Sequence, residues 1–395
     1  MRTVLALAMT LALAACGRLV PEGRPQTGAP PLPAPTATPA PLPAISAGPP
    51  VAALRLGAED ARGALASFVE SCPQLLVRTD ASKMTVPGDW RPACEAAASW
   101  PATDAVRFFE TRFETARVGD GRTFITGYFE PEIAASRVRA PGYDVPIYRL
   151  PPDLVRAWPA DTPQDQRIGN PPLGRYDESG AFVPYYDRAA IEDGALAGKG
   201  LEIAWAADAA EVFFLQVQGS GLLRLPDGGL MRIGYAGQNG RGYVGIGGLM
   251  RERGLIGDGP GQYPGSMQGI LRYIHENPEA GRVLMRENPS WVFFKDNGQN
   301  GPFGALNVTV RAGSSVAADP NFVPLGAPIW LDVDRGEADG LWIAQDTGGA
   351  IKGINRFDTF WGNGPQAREI AGGMSGRGEA LVLLPKGVLA RLLER

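Results

Sequence analysis

The sequence predicts a mainly β protein with flanking helices, an α+β fold. Its 395 residues include 52 glycines and 36 prolines, which indicates many turns and therefore many short strands. From Thr123 onward, short apolar runs are broken by Gly, Pro and Asp at close spacing. Apolar residues with helical spacing occur in three stretches, two of which open the globular part. A chain of this length can bury a large core and is expected to form two domains.

Residues 1–16 are expected to be a signal peptide rather than a folded element. Arg2 precedes an apolar stretch, residues 4–15, that is too short to anchor a protein permanently across a bilayer. The stretch ends in LAAC followed by glycine, which resembles the bacterial lipoprotein processing site and predicts lipidation of Cys16. No aspartate follows this cysteine, which favours the outer membrane. A plain secretion signal with a chance cysteine is the alternative.

Residues 17–53 are predicted to be a linker. Eleven prolines lie between residues 21 and 50, so this stretch cannot bury a core and tends to an extended conformation that holds the folded part away from the lipid. Export also leaves Cys72 and Cys94 as an even pair in an oxidising compartment. A disulfide between them is the economical interpretation, and two buried thiols are the alternative.

Helices are predicted at residues 58–71, at 104–117 with Asp104 as N-cap, and at 266–287 with Ser266 as N-cap. The strand-like runs suggest a barrel or a sandwich. In chain order they are TFITGYFEPEI, VPIYRL, LEIAWAAD, VFFLQVQGSG, GGLMRIGYAGQNGRGYVGIGG, WVFFK, NVTVRAG, APIWLDV, LWIAQD and EALVLLP.

The composition excludes several classes of function. The only histidine, His275, lies on the predicted third helix as a packed or surface residue, which makes a Ser-His-Asp triad improbable. With one histidine and no CxxC motif, a zinc site of His and Cys is close to excluded. The net charge of -4, without a basic block, gives no case for nucleic acid. GQNGRGYVGIGG lacks the phosphate-loop pattern, so nucleotide binding is weakly supported.

The stretch LWIAQDTGGAIKGINRFDTFWG, residues 341–362, is the best candidate for chemistry. LWIA predicts a strand that delivers Asp346 to its end, and the glycine pair that follows supplies a tight turn. A second apolar stretch ends at Asp358, with Phe360 and Trp361 beyond it as aromatic faces of the kind that stack on sugars or bases. The pattern indicates a carbohydrate-like site. In the alternative interpretation, Asp346 forms a turn, Asp358 is a surface charge and the aromatic residues belong to the core.

A second group of residues offers neutral hydrogen-bonding side chains near predicted strand ends. Such groups suit sugar hydroxyls and acetamido groups, although ordinary satisfaction of turns and strand edges explains each of them equally well. They are Gln216, Gln218, Ser220, Tyr235, Gln238 and Asn239.

Taken together, these strings resemble the membrane-bound lytic murein transglycosylases of the MltA type over most of residues 54–395. The C-terminal part is similar to the 3D domain, named after three aspartates, which here are Asp319, Asp346 and Asp358. The other matching strings, in the family's order, are GYFEP, VPIYR, FFLQVQGSG, YAGQNGRGY and NPSWVFF.

The resemblance implies a domain organisation. Residues 54–129 and 299–395 would form a discontinuous catalytic domain, a double-psi β-barrel that contains the 3D segment 305–392. Residues 130–298 would form an inserted β-barrel that binds substrate. A glycan groove would run between the two barrels.

The resemblance also implies an activity: a lytic transglycosylase, of the exolytic type, that cuts the MurNAc-GlcNAc β-1,4 bond of peptidoglycan. By position, Asp358 corresponds to the family's single catalytic acid, with Asp346 in support. Tyr128, Lys352 and Asp319 are expected substrate contacts. No cofactor and no metal are expected. The expected partners are glycan strands and, as further candidates, other cell-wall enzymes, at the periplasmic face of the outer membrane.

The chemistry fits one acid. Cleavage requires a carboxyl that stays protonated near neutral pH, and the nearby charge of Asp346 could raise the pKa of Asp358 accordingly. Hydrolases use two carboxylates, whereas attack by the sugar's own C6 hydroxyl needs only a residue that gives and then takes a proton. A hydrolytic muramidase and a non-catalytic glycan-binding lipoprotein remain alternatives. A homodimeric aspartic protease using the DTG triplet and a calcium site of the three aspartates are weaker ones.

Overall fold

The computed structural model describes residues 44–298 and 301–394. Its helices are α1 (Ala58–Leu75), α2 (Pro87–Ala97), α3 (Ala105–Arg112), α4 (Arg188–Ala190), α5 (Ala209–Gln218), α6 (Ile246–Glu252), α7 (Met267–Glu276), α8 (Pro278–Arg286), α9 (Gly364–Gly373) and α10 (Val388–Leu393). Its strands are β1 (Ile45–Ala47), β2 (Phe113–Val118), β3 (Arg122–Glu130), β4 (Glu132–Ser136), β5 (Val145–Tyr148), β6 (Val155–Arg156), β7 (Leu173–Tyr176), β8 (Phe182–Pro184), β9 (Glu202–Ala206), β10 (Ser220–Arg224), β11 (Leu230–Gln238), β12 (Val292–Gly298), β13 (Ser315–Ala318), β14 (Pro328–Val333), β15 (Gly340–Asp346), β16 (Arg356–Asn363) and β17 (Ser375–Pro385). The predicted α+β class is confirmed.

The larger sheet has eight strands in the order β1-β2-β17-β14-β15-β13-β16-β3. Strand β17 also pairs with β3, so six of these strands close into a ring. Two of its pairings are parallel, β13 with β15 and β16 with β3. The strands come from both ends of the described chain, which brings β3 beside the C-terminal β16. The double-psi crossing pattern stays a prediction.

Helices α1, α2 and α3 cover part of the larger sheet with a cluster of aromatic residues. Phe68 of α1 is fully buried and meets the ring of Phe113 edge-on at 5.4 Å. The disulfide between Cys72 and Cys94 joins α1 to α2, with the two Cα atoms 5.5 Å apart. This is the predicted cysteine pairing.

The second sheet contains six strands in the order β12-β11-β10-β4-β9-β5, all from residues 132–298. Arg149, just after β5, forms a bridge with Phe294 of β12, so the two edges of this sheet meet. A small three-stranded sheet, β6-β7-β8, lies within the same stretch of chain. The predicted limits of the two domains stay a prediction.

A close contact with α9 and an ion pair to the second sheet hold β3 in place. A Cβ on Gly127 would lie 2.9 Å from the Cα of Ala371, so glycine is what lets α9 approach β3. Glu130, at the end of β3, is buried and accepts hydrogen bonds from the Arg232 guanidinium at 2.9 and 3.1 Å. The ion pair holds β3, which belongs to the larger sheet, against β11 of the second sheet.

Four predicted elements differ from the structure. VFFLQVQGSG is wrong as a strand: residues 209–218 form α5, because Asp208 caps the first turn and Gly219 ends the helix in a left-handed conformation. The helix α5 is buried on several sides and is apolar on all of them, so its sequence shows no helical periodicity of apolar residues. The helix predicted at 104–117 ends at Arg112, and β2 follows.

The other two differences lie further along the chain. The helix predicted at 266–287 is two helices, which break at Asn277, although Ser266 caps the first as predicted. Among the described residues, NVTVRAG makes one isolated bridge, between Phe303 and Thr309, and Asn307 turns the chain with a φ of 60°.

Within the described residues, no helix is long and apolar enough to span a bilayer. The predicted signal peptide, with Cys16, lies outside the described residues, as does most of the proline-rich linker.

Candidate active site

Asp346 and Asp358 lie on strands that flank β13. Ala317 of β13 is the register partner of both, of Asp346 on β15 and of Asp358 on β16. Neighbouring strands are about 4.8 Å apart, so the two Cα atoms are separated by roughly 10 Å. The sheet therefore brings together the two carboxyls that the sequence singled out.

Asp346 is held by three hydrogen-bond donors. The backbone amides of Ala305 and Thr347 donate to Oδ1 at 2.9 and 2.8 Å, and the Tyr128 hydroxyl donates to Oδ2 at 3.1 Å. Burial raises the pKa of Asp346 to about 6, although these three hydrogen bonds act in the opposite direction. Gln345, immediately before it, anchors the end of β15 to α1 through Ser67 and Ser71.

Asp358 accepts one hydrogen bond, from the Thr126 hydroxyl to Oδ1 at 2.5 Å. Burial raises the pKa of Asp358 to about 6. The charge of Asp346 raises it further, whereas the Thr126 hydrogen bond and the positive charge of Arg356 lower it. A carboxyl with a pKa of about 6 carries its proton in about a tenth of the molecules at pH 7, which makes it available as a general acid.

Two further groups belong to the site, and the sequence reasoning missed both. Thr126 and Arg356 form a chain of hydrogen bonds to Asp358, with Arg356 Nη2 donating to Thr126 Oγ1 at 2.8 Å. Because Thr126 precedes Asp358 by 232 residues, only the parallel pairing of β3 with β16 brings them together. The GYFEP string, which begins at Gly127, immediately after Thr126, was the sequence signal that could have pointed to Thr126.

Tyr243 is the other group that was missed. It lies in the loop after β11, and burial followed by the charge of Asp358 raises the pKa of its hydroxyl. A Cβ on Gly349 would lie 3.6 Å from the Cβ of Tyr243, so this loop reaches the turn after Asp346. Tyr243 could have been chosen as the one aromatic residue in the glycine-rich string GQNGRGYVGIGG.

Of the aromatic residues near the carboxyl pair, Tyr128 and Phe360 are more buried than stacking on a sugar requires. The rings of Tyr128 and Phe360 pack 4.9 Å apart, and both side chains are buried. For Phe360 the alternative interpretation as a core residue holds. Trp361 is partly exposed and donates from Nε1 to Thr359 at 2.9 Å. Tyr128 therefore meets Asp346 directly, and its predicted contact with substrate stays a prediction.

The carboxylate of Asp319 is already occupied by hydrogen bonds within the protein. It is buried, and its oxygens accept hydrogen bonds from Asn321 and from the Gly353 amide, which ties down the loop that contains the exposed Lys352. Among the described residues, no group of three or more His, Cys, Asp or Glu side chains could hold a metal ion. The described part of the chain thus gives no support to the three-aspartate calcium site.

Gln216 and Asn239 are buried and make hydrogen bonds inside the protein. Gln216 accepts a hydrogen bond from the buried Arg188 at 2.7 Å. Asn239 is fully buried and donates to the carbonyls of Tyr186 and Pro289, both at 2.9 Å. Their hydrogen-bonding capacity is used within the protein, so the predicted binding of sugar by these two side chains is not what the structure indicates.

The remaining predicted contacts are more accessible. Gln218, at the end of α5, accepts a hydrogen bond from the Phe129 amide at 3.0 Å. Ser220 begins β10, and Tyr235 is 50 % exposed on β11. Gln238 accepts a hydrogen bond from the Gly240 amide at 2.6 Å. His275, as predicted, is no part of this site and bonds to Asp208 at 2.9 Å.

Two family models match the chain. Residues 124–295 match the MltA specific insert domain, and residues 314–384 match the 3D domain. The chain is 31% identical, over 316 residues, to the membrane-bound lytic murein transglycosylase A of Vibrio cholerae, and the match covers 76% of each protein.

Solved structures agree with this relationship. A membrane-bound lytic murein transglycosylase from Agrobacterium tumefaciens matches with a TM-score of 0.74 and 28% identity, covering 88% of this chain and 99% of that one. Escherichia coli MltA with bound chitohexaose matches with a TM-score of 0.56 and 27% identity, covering 81% and 89%. The chain therefore belongs to the family of membrane-bound lytic murein transglycosylases A.

Proposed function

We propose that this chain is a peptidoglycan lytic transglycosylase, of the exolytic type, that cuts the β-1,4 bond between N-acetylmuramic acid and N-acetylglucosamine. The observation that carries the proposal is Asp358, a carboxyl whose pKa is raised to about 6 by burial beside a second carboxyl. Escherichia coli MltA, a relative with the same fold, has been solved with bound chitohexaose, which supports an amino-sugar chain as substrate.

The two carboxyls take different roles in this proposal. Asp346 accepts three hydrogen bonds and Asp358 accepts one, so the negative charge of the pair is better stabilised on Asp346. That charge then favours the protonated form of Asp358. Asp358 is the acid; burial is the main cause of its raised pKa, and the charge of Asp346 adds to it.

Cleavage begins with transfer of the Asp358 proton to the glycosidic oxygen. The bond from that oxygen to C1 of the muramic acid breaks, and the N-acetylglucosamine leaves as an alcohol. Positive charge develops at C1, where the negative charge of Asp346 nearby is favourable. The Asp358 carboxylate then takes the proton of the C6 hydroxyl as that oxygen bonds to C1, which closes a 1,6-anhydro ring and returns the acid to its starting form.

The finer architecture belongs to the same proposal. Residues 54–129 and 299–395 form a double-psi barrel that carries Asp346 and Asp358, and residues 130–298 form the inserted barrel. The glycan lies between them, where Tyr243 of the insertion comes close to Gly349. Gln218, Ser220, Tyr235, Gln238 and Lys352 are the accessible side chains proposed to contact sugar.

The location follows from the N-terminal sequence and the family. The Vibrio cholerae relative is named a membrane-bound enzyme. We assign this chain to the periplasmic face of the outer membrane, anchored by lipid on Cys16, with the proline-rich linker as spacer. Cell-wall remodelling beside other cell-wall enzymes is the setting that this location implies.

Zymography on purified peptidoglycan tests the assignment of Asp358. Asp358→Asn keeps the shape of the side chain and removes the titrating proton, so activity should fall by about 10²–10⁴-fold while glycan binding persists. Asp332→Asn is the matched control, because Asp332 lies exposed on β14, and it should stay fully active. Lysis by Asp358→Asn at the level of the control would refute the assignment. Because no proposed step uses a metal, EDTA should not change lysis by the unsubstituted protein.

A further inference from the structure

We propose that Arg356 and Thr126 are positioning residues for Asp358. Arg356 donates a hydrogen bond to Thr126, which makes the Thr126 hydroxyl donate to Oδ1 of Asp358; these two hydrogen bonds are called the relay below. Oδ2 of Asp358 is then the oxygen that gives up the catalytic proton and takes it back. This inference rests on the proposed function, because it assumes that Asp358 is the acid. It adds which oxygen of the carboxyl reacts and which residues decide it.

The direction of each hydrogen bond follows from the chemistry of the groups. Arg356 Nη2 lies 2.8 Å from Thr126 Oγ1, and a guanidinium can only donate. The Thr126 hydroxyl therefore accepts from Arg356, and its single proton is free for another partner. That partner is Asp358 Oδ1, at 2.5 Å. The relay is thus polarised from Arg356 through Thr126 to Asp358.

Backbone pairing and ring contacts fix the relay in place. Asp358 and Thr126 are direct register partners in the parallel pair of β16 and β3. The Arg356 guanidinium lies 4.8 Å from the centre of the Phe124 ring and donates to the carbonyls of Phe357 and Phe124. Arg356 cannot leave Thr126 without losing these contacts.

The relay decides where the acidic proton resides. In a neutral carboxyl the carbonyl oxygen accepts hydrogen bonds more strongly than the hydroxyl oxygen, so the hydrogen bond from Thr126 favours Oδ1 as the carbonyl oxygen. The proton of neutral Asp358 therefore sits on Oδ2. Among the residues that the structure describes, no group hydrogen-bonds to Oδ2, so this oxygen is available to a sugar oxygen. After cleavage the charge on Oδ2 is still unpartnered, which suits it to take the C6 hydroxyl proton.

The same geometry predicts how the site titrates. Burial and the charge of Asp346 raise the pKa of Asp358, whereas the Thr126 hydrogen bond and the charge of Arg356 lower it. Tyr128 and Tyr243 also face Asp358, and burial raises the pKa of both hydroxyls, so they remain neutral. Loss of the relay must therefore raise the pKa of Asp358.

The test is the pH dependence of kcat/KM on purified glycan strands. An acid catalyst loses activity as pH rises through its pKa, so the alkaline limb reports Asp358. Thr126→Val should raise the apparent pKa of this alkaline limb by about one pH unit, because the ionised Asp358 carboxylate loses a hydrogen bond. Thr126→Ser restores the hydroxyl and should restore the limb.

Two further variants complete the test. Arg356→Met removes the donor that orients Thr126 and should also move the limb upward, which covers the case in which Thr126→Val does not fold. Thr123→Val is the matched control on the same strand, because its hydroxyl bonds to the Asn355 carbonyl at 2.7 Å and not to a carboxyl.

Activity that falls in Thr126→Val or Arg356→Met without movement of the limb would mean that these residues only support the fold, and would overturn the relay. That result would leave the proposed function intact. An active Asp358→Asn variant would instead overturn the function itself, so the two failures are distinguishable.

Discussion

Replacing the proposed acid should stabilise the protein, but only at neutral and alkaline pH. The ordinary pKa of an aspartate is 3.8, and burial raises the pKa of Asp358 to about 6 in the folded protein. Folding therefore takes up a proton between these two values. The stabilisation linked to that proton is complete below the unfolded value and is lost as pH rises through the folded value. Above pH 6 the protein must bury a charge.

The size of the effect follows from the pKa shift. Each pKa unit corresponds to 1.36 kcal/mol, so a shift of about 2 units makes the folded, ionised form costlier by about 3 kcal/mol at pH 8. Asp358→Asn has no charge at any pH. Its unfolding free energy relative to the unsubstituted protein should therefore rise by about 2.4 kcal/mol between pH 4 and pH 8, because part of the stabilisation is already lost at pH 4. Any packing difference between Asp and Asn is constant with pH and cancels in this comparison.

Urea titration of the full chain, followed by tryptophan fluorescence at pH 4, 6 and 8, measures the difference. Asp332→Asn serves as the control because Asp332 is exposed on β14, and its effect should be the same at each pH. A difference for Asp358→Asn that does not change with pH would refute the raised pKa and with it the argument that burial keeps the acid protonated. A gain in stability together with lost activity would identify a site that is strained for function.

Three further predictions concern the support of the site and its attachment. Cys72→Ser with Cys94→Ser opens a link across 22 residues and should lower the unfolding free energy by about 3 kcal/mol, measured by urea titration; no change would mean that the disulfide contributes nothing. Asn239→Ala removes hydrogen bonds to the Tyr186 and Pro289 carbonyls and from the Trp291 amide and should cost roughly 3 kcal/mol, whereas Gln238→Ala beside it should cost less than about 1 kcal/mol; equal losses would contradict the structural role of Asn239. Cys16→Ala should release the protein from membrane pellets, and retention under high salt would contradict the lipid anchor.

The carboxyl pair was predictable because its signal is local. Asp346 and Asp358 lie 12 residues apart in one string, each at the end of an apolar run, so a strand-turn-strand interpretation brings them together. The strands APIWLDV and LWIAQD were predicted for the same reason. Residue type and short spacing were enough to single out the two carboxyls, although β13, from an earlier part of the chain, lies between their strands.

The residues that tune the acid were not predictable in this way. Thr126 contacts Asp358 across 232 residues, and no periodicity reports which distant strand pairs with β16. The helix α5 was mistaken for a strand because a buried helix and a buried strand are both continuously apolar. Asn239 was mistaken for a sugar contact because a polar side chain in a glycine-rich string does not reveal whether its partners are ligand or backbone.

The central claim is that the sugar's own C6 hydroxyl, and not water, attacks the muramic acid. Peptidoglycan digested with the full chain, reduced with borohydride and analysed by mass spectrometry reads the attacking group from the product. The account predicts new 1,6-anhydromuramic ends, lighter by one water than hydrolytic ends and not reducible. New ends dominated by reducible muramic acid would identify a hydrolase, and the absence of new ends would identify a non-catalytic binding protein; either result would contradict the account.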